Sequence, residues 1–260
     1  MKLIWNTHID NSSFWGEYHR LNSKMWIFDL LKNVKIEEIN DLSSVKTNDS
    51  VIIVDSELYQ KKNFYNKFFN EFKNIYLFHL GDEGGRVDTN FFYSNFKHIF
   101  RTFYLNSFSK KTKITCIPIG YKSGFKKNLK KINERKYVWN FLGTIHGASR
   151  YDLIHQNKNI KPHYLNITNK FNANNSLSSE DYYKIMGNTI FSLVSHGYYH
   201  PETYRLYESI ESGCIPIIEN PHNFFDLFLP NNPMIKINLW KDASEIIKKL
   251  KNDEKQKIEL

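Results

Sequence analysis

FSLVSHGYYHPETYRLYESIESGCIPII, residues 191–218, reads as strand, loop, helix, tight turn and strand. Residues 189–194 form an apolar run of the length of a buried strand. Pro201 suits the first turn of a helix, where its missing N–H would be unpaired anyway. A helix over 201–212 then ends at Gly213, which suits the left-handed cap, and residues 215–218 begin a new strand at once. Glu202, Arg205 and Glu208 recur every three residues and step slowly round one side of that helix. Leu206 and Ile210 lie nearer the opposite, packed side. Strand, helix and strand in this order form the repeating unit of a parallel α/β sheet.

Upstream and downstream, short apolar runs alternate with amphipathic stretches. Strands are predicted at 2–5, 51–54, 74–79, 98–103 and 113–119, with helices over 17–32 and 57–72 and a Gly-rich turn at 81–85. A second series follows: strands at 137–142, 163–167, 189–194, 215–218 and 234–237, with helices over 148–156, from Ser178 or Ser179 to about Met186, and from about Ala243 onward. Glu180 and Asp181 suit the first turn of the helix that Ser178 or Ser179 caps. Between the series, residues 121–135 are Lys-rich with little apolar periodicity and read as a linker. The organisation is therefore two α/β domains, 1–125 and 136–260, each with a mostly parallel sheet. Ligands in such sheets sit beyond the carboxyl ends of the strands.

The 260 residues are 41% apolar and 24% charged, ordinary for a packed chain. Aromatics at 16% fit a buried core and also a cleft that stacks on rings. Trp5, Trp15 and Trp26 read as core. The net charge of +9 fits a phosphate-rich partner or a Lys-rich solvated surface. Its lysines are scattered apart from short clusters at 126–131 and 248–251, and no nucleic-acid module accompanies them. The two cysteines, Cys116 and Cys214, sit in apolar contexts without a CxxC or Cys/His neighbourhood and read as buried reduced thiols. The opening MKLIWNTHID is too short an apolar run for a signal peptide or anchor. A cytoplasmic chain is expected, and peripheral contact with a membrane through the basic surface stays open.

The chemistry of 191–218 lies in its polar residues. The loop 195–200 precedes a helix N-terminus, where free N–H groups and the helix dipole favour an anion. Arg205 adds a planar cation with bidentate geometry, and Glu208 a carboxylate for ribose or sugar hydroxyls. That set suits a nucleoside diphosphate sugar. The same spacing also suits a surface helix with Glu/Arg pairs worth a few tenths of a kcal/mol.

The segment resembles the donor-site signature of exostosin-family glycosyltransferases: a loop with Ser195 and Gly197, then Arg205, Glu208, and Gly213–Cys214–Ile215–Pro216–Ile217. Further pieces resemble the ribitol xylosyltransferase branch and its bacterial exostosin-like relatives. These are HLGDEGGR at 79–86, HIFRTFY at 98–104, PIGY at 118–121, and FLGT at 141–144 followed by a helix with Arg150. The resemblance covers about residues 75–220. His196 and the insert Tyr198–Tyr199–His200 before the helix depart from it.

The resemblance implies a GT-B architecture, with two Rossmann-like domains facing across a cleft. It implies sugar transfer, a hexosyl or pentosyl group, from a UDP-sugar to a glycan or polyol-phosphate acceptor in surface polysaccharide or glycoconjugate synthesis, with inversion and without a metal or other cofactor. The donor set is Gly143, Thr144, Arg150, Ser195, His196, Gly197, Glu202, Thr203, Tyr204, Arg205 and Glu208, with Arg205 also steadying the leaving diphosphate. Asp82, then Glu83, is the expected base. Asn6, Thr7, His8, Gly81 and Arg86 are expected on the acceptor side. His79 reads equally as a satisfied buried histidine. Three other readings stay open: a nucleotide-dependent transferase that moves no sugar, a non-catalytic nucleotide- or glycan-binding relative, and a nucleic-acid binder, whose affinity would fall steeply with salt. Nucleic acid is not the expected partner.

Overall fold

Val51 and Ile53 pack into one core and Ile52 and Val54 into another, and all four are buried. A strand that is apolar on both faces belongs inside a parallel sheet covered on both sides. The computed structural model of the chain has that arrangement. It describes residues 1–6, 14–85, 89–125, 129–170, 174–251 and 253, the side chains of residues 14–16 and 59 excepted. The chain divides into two compact units, Met1–Ser123 and Gly124–Leu260.

In the first unit, β1 (Lys2–Trp5), β2 (Glu37–Ile39), β3 (Ser50–Asp55), β4 (Asn74–His79), β5 (His98–Arg101) and β6 (Ile114–Cys116) form one parallel sheet in the order β2-β1-β3-β4-β5-β6. Helix α1 (Phe14–Leu30) brings Trp26 and Ile27 to the face carrying Leu3, Trp5, Ile52 and Val54. Helix α2 (Lys62–Glu71) brings Tyr65 and Phe68 to the other face, against Ile4, Val51, Ile53 and Leu77. The short helices α3 (Asn90–Tyr93) and α4 (Asn106–Ser109) add Phe92 and Phe108 to that second face. Each such buried side chain stabilises by roughly 1.5–3 kcal/mol.

In the second unit, β7 (Tyr137–Thr144), β8 (His163–Thr168), β9 (Thr189–Val194), β10 (Ile215–Glu219) and β11 (Ile235–Ile237) form a parallel sheet in the order β11-β10-β9-β7-β8. Helices α5 (Gly147–Asn157) and α9 (Trp240–Leu250) supply Leu153, Trp240, Ala243 and Ile247 to a core with Trp139, Phe141, Phe191 and Ile217. On other strand residues, α6 (Ser179–Met186) packs Ile185 and Met186 near Leu142, and α7 (Tyr204–Glu211) packs Leu206 near Val194 and Ile218. Helix α8 (Phe224–Phe228) adds Phe225. Ser178 caps α6 by accepting from Asp181 N–H.

The first strand of each series lies between the next two, β1 between β2 and β3, and β7 between β8 and β9. The chain therefore reverses its winding direction there, which opens a crevice at the carboxyl ends of those strands.

Several boundaries differ from the sequence reading. Helix α7 begins at Tyr204, not at Pro201, because Thr203 is extended (φ −140°, ψ 151°) and Glu202 is buried beside His200 and Tyr207. β5 stops at Arg101, and Phe103 is left-handed at φ 60°. β6 is shorter than 113–119, and β7 runs on through Gly143 to Thr144. β2, α3, α4 and α8 were not expected; three to five residues are too few to show a period. Residues 124–135 count with the second unit. Arg135 there donates to Thr189 O at 2.7 Å and to Ser212 O at 3.1 Å, holding the C-terminal end of α7. Gly213 follows at φ 64°, a conformation that favours glycine. Trp5 and Trp26 are buried, and both cysteines are free, but Cys116 is only half-buried, at the end of the short strand β6. Cys214 is buried, which pushes its thiol up to about 12. Among the described residues, no helix is long and apolar enough to cross a membrane.

Candidate active site

Two arginines from different helices meet the backbone at the carboxyl ends of β7 and β9. Arg205, one residue into α7, is 8% exposed. Its Nη2 donates to Leu142 O, and its guanidinium lies over the Phe141 ring, 4.7 Å from the centroid. Gly143 permits this docking. Its φ is 147°, and a Cβ there would stand 2.5 Å from Arg205 Nη2. Arg150 on α5 is 6% exposed; Nη1 donates to Thr144 O at 2.7 Å and Nη2 to His196 O at 3.0 Å. It thereby ties the loop after β7 to the loop after β9.

Neither arginine makes an ion pair among the described residues. Nε and Nη1 of Arg205 and Nε of Arg150 are buried without a hydrogen-bond partner there. Burial, and then the charge of Arg205, push Arg150 down to about 9, while Glu219 acts in the opposite direction. Buried donors without partners are costly, and two like charges brought together add repulsion. An anion with several acceptor oxygens would relieve both.

The loop after β9 adds further polar groups. Ser195 is fully buried with its Oγ unpartnered. The His196 N–H donates to Glu219 Oε2 at 3.3 Å, and Gly197 N–H donates to His200 O at 2.8 Å. Two of the loop N–H groups expected to face an anion are therefore engaged internally, and the arginine side chains carry positive charge there. Thr203 is the N-cap of α7 without a capping hydrogen bond, and its Oγ1 is buried without a partner. Tyr204 is half-buried at the helix start.

Glu202 and Glu208 are held by neighbours. Glu202 accepts from the Tyr207 hydroxyl and lies 3.5 Å from His200 Nδ1, so it braces the loop. Glu208, one turn beyond Arg205, accepts from the Tyr182 hydroxyl of α6. Burial and then this carboxylate push that hydroxyl well above its usual range.

Two residues that sequence reasoning passed over belong here. His146, the N-cap of α5, lies in the field of both arginines; burial, then Arg150, His196 and Arg205, lower its pKa. Glu219 accepts from Ser149 Oγ at 2.6 Å. Both directly follow or end strands of this sheet, which was a usable signal.

The first unit has its own polar cluster at its strand ends. Asn6 Nδ2 donates to Asp55 Oδ1 at 2.7 Å, Tyr65 OH to Asp55 Oδ2 at 2.6 Å, and Lys61 Nζ to Asn6 O at 3.1 Å. Arg101 is fully buried, with Nη2 donating to Asp82 Oδ2 at 3.1 Å and Nη1 to Tyr93 OH at 2.9 Å. Asp82 has φ 61°, which a short polar side chain tolerates. Glu83 beside it is half-buried, and Gly81 is buried against Ser56 O. His79 is buried among Tyr93 and Arg101, and burial first, then Arg101, hold its pKa well below the usual value. Thr7, His8 and Arg86 lie outside the described residues.

A family model described as the RXYLT1 C-terminal domain matches residues 120–259, more than half of the chain. No curated protein matches it in sequence. The chain is similar to a crystal structure of alpha1,3-fucosyltransferase, with a TM-score of 0.55 at 12% identity, covering 99% of this chain and 80% of that one. It is also similar to a crystal structure of alpha1,3-fucosyltransferase with GDP, with a TM-score of 0.52 at 11% identity, covering 99% and 79%. At such identity the likeness is one of fold, and that fold is GT-B. The chain belongs to the RXYLT1 C-terminal domain family, an exostosin-like glycosyltransferase family.

Proposed function

We propose that the protein transfers a hexosyl or pentosyl group, with inversion, from a UDP-sugar to a glycan or polyol-phosphate acceptor of a surface polysaccharide or glycoconjugate. The observation that carries this reading is the buried pair Arg150 and Arg205 at the ends of β7 and β9, which feel each other's charge and make no ion pair among the described residues. Two guanidiniums there suit a diphosphate, with Arg205 steadying the charge that develops as the nucleoside diphosphate departs. Their charge does what a metal ion would otherwise do, so the reading is metal-independent and activity is expected to survive EDTA.

Gly143 and Thr144 bring the backbone of β7 close to the diphosphate, with Ser195, His196, Gly197, Thr203 and Tyr204 completing the donor side. Glu208, once released from Tyr182, offers acceptor oxygens to ribose or sugar hydroxyls. An inverting displacement needs a base for the acceptor hydroxyl proton. Asp82 and Glu83 are the candidates in the first unit. Arg101 holds one oxygen of Asp82, and Glu83 stands second to it. Asn6 is bound to Asp55 and reads as a positioning residue rather than as an acceptor contact.

The test is nucleotide release from a panel of UDP-, GDP- and CDP-sugars, with Arg205→Ala, Asp82→Asn and Glu83→Gln alongside. GDP-sugars belong in the panel because one structure of similar fold was solved with GDP. Release from a UDP-sugar that Arg205→Ala abolishes supports the proposal. Release that survives Arg205→Ala refutes the assignment of the diphosphate to this pair.

A further inference from the structure

The two loops that Arg150 ties together present aromatic rings. His146 follows β7, and Tyr198 follows β9. Their ring centroids lie 5.4 Å apart with planes at 66°, and Tyr199 meets Tyr198 edge-on at 4.6 Å and 89°. Tyr198 is 67% exposed, more than almost any other large apolar or aromatic side chain described here. Most of its side chain is open, so surface remains for a flat ring to lie on. The backbone around it is anchored, because Arg150 holds Thr144 O and His196 O on either side. The aromatic pair therefore stands on the two loops that Arg150 ties together. Burial first, then Arg150, His196 and Arg205, lower the pKa of His146 and disfavour a proton there, so the ring adds a flat surface.

A ligand that satisfies both features has a flat ring tethered to phosphate. We infer that Tyr198, backed by His146, is a stacking shelf for the base of the nucleotide whose diphosphate Arg150 and Arg205 hold. The inference rests on the donor-site reading above and deepens it. Stacking uses the π-face that every base has, so the shelf contributes affinity for a nucleoside over bare diphosphate and leaves the choice of base to hydrogen bonds elsewhere. A shelf for the transferred sugar would behave differently, because UDP alone would not feel its loss.

Dissociation constants for UDP, GDP and inorganic pyrophosphate, measured by calorimetry on the full chain, test this with Tyr198→Ala and Tyr198→Phe. Tyr198→Ala is expected to weaken nucleoside diphosphate binding roughly tenfold while pyrophosphate stays within about twofold. Tyr198→Phe is expected to bind as the parent does. Unchanged nucleotide binding in Tyr198→Ala overturns the shelf, and so does an equal loss for pyrophosphate, which would mean that the tyrosine only holds the loop. A Tyr198→Phe loss matching that of Ala also overturns it, assigning the effect to the hydroxyl. If the parent chain binds pyrophosphate but neither nucleotide, the shelf fails and the anion site stands. If it binds none of the three, the donor-site reading fails and takes the shelf with it.

Discussion

Arg101 and Arg205 are both buried arginines near the carboxyl end of a parallel sheet, and each donates to a backbone carbonyl, lies over an aromatic ring and leaves Nε without a partner, yet only Arg101 has a counter-charge among the described residues. Arg101 is enclosed by the Asp82 carboxylate, the Tyr93 hydroxyl and the His79 ring. Arg205 meets a backbone carbonyl and an aromatic face, has two nitrogens unused, and lies near a second arginine. A buried charge with its counter-charge is a finished structural element, and removing one partner strands the other. A buried charge without a counter-charge costs stability that only a ligand can return. The comparison teaches that burial alone does not identify a functional arginine; the account of its partners does.

Substitutions at both arginines can break this contrast. The largest expected effect is on stability in the first unit. Arg101→Met leaves Asp82 buried without its cation and should cost about 3–5 kcal/mol, read as a lowered midpoint in chemical denaturation. Arg205→Met strands no carboxylate and should move that midpoint by no more than about 1 kcal/mol. Activity should respond in the reverse order: Arg205→Ala should lower the rate of nucleotide release on the order of 100- to 1,000-fold. Glu208→Gln, which keeps an oxygen for Tyr182 but loses the charge, should raise the donor KM roughly tenfold with a smaller change in kcat. The smallest effect concerns pH. His79 is held well below its usual pKa, first by burial. The unfolded chain therefore binds a proton below about pH 6.5 that the folded chain refuses. Stability from this group is present above that pH and is lost as pH falls. His79→Gln should flatten the acid side of a denaturation-midpoint profile.

The contrast also explains what could be read from sequence. Thr189–Val194 coincides with the predicted strand because its apolar run is continuous, and Gly213 marks the end of α7 because its left-handed φ is a local property. Arg150, Arg205 and Gly143 could be picked out because each follows a strand or opens a helix in a motif. The start of α7 was misread because Pro201 is locally suited to a first helical turn, whereas the burial of Glu202 against Tyr207 is a tertiary fact. The pairing of Asp82 with Arg101 joins residues on separate elements, and no spacing rule distinguishes it from an unpaired carboxylate. His146 and Glu219 belong to no spacing pattern in the sequence, and only their places near the ends of β7 and β10 mark them.

At the centre of the proposed function, Arg150 and Arg205 together hold a diphosphate. The direct test is the unfolding temperature of the full chain with and without saturating UDP, measured for the parent, Arg150→Ala and Arg205→Ala. The account predicts a rise in the parent, equivalent to about 2.7 kcal/mol at a hundredfold excess over Kd, that shrinks to near zero in both variants. A rise that persists undiminished in either variant would contradict it.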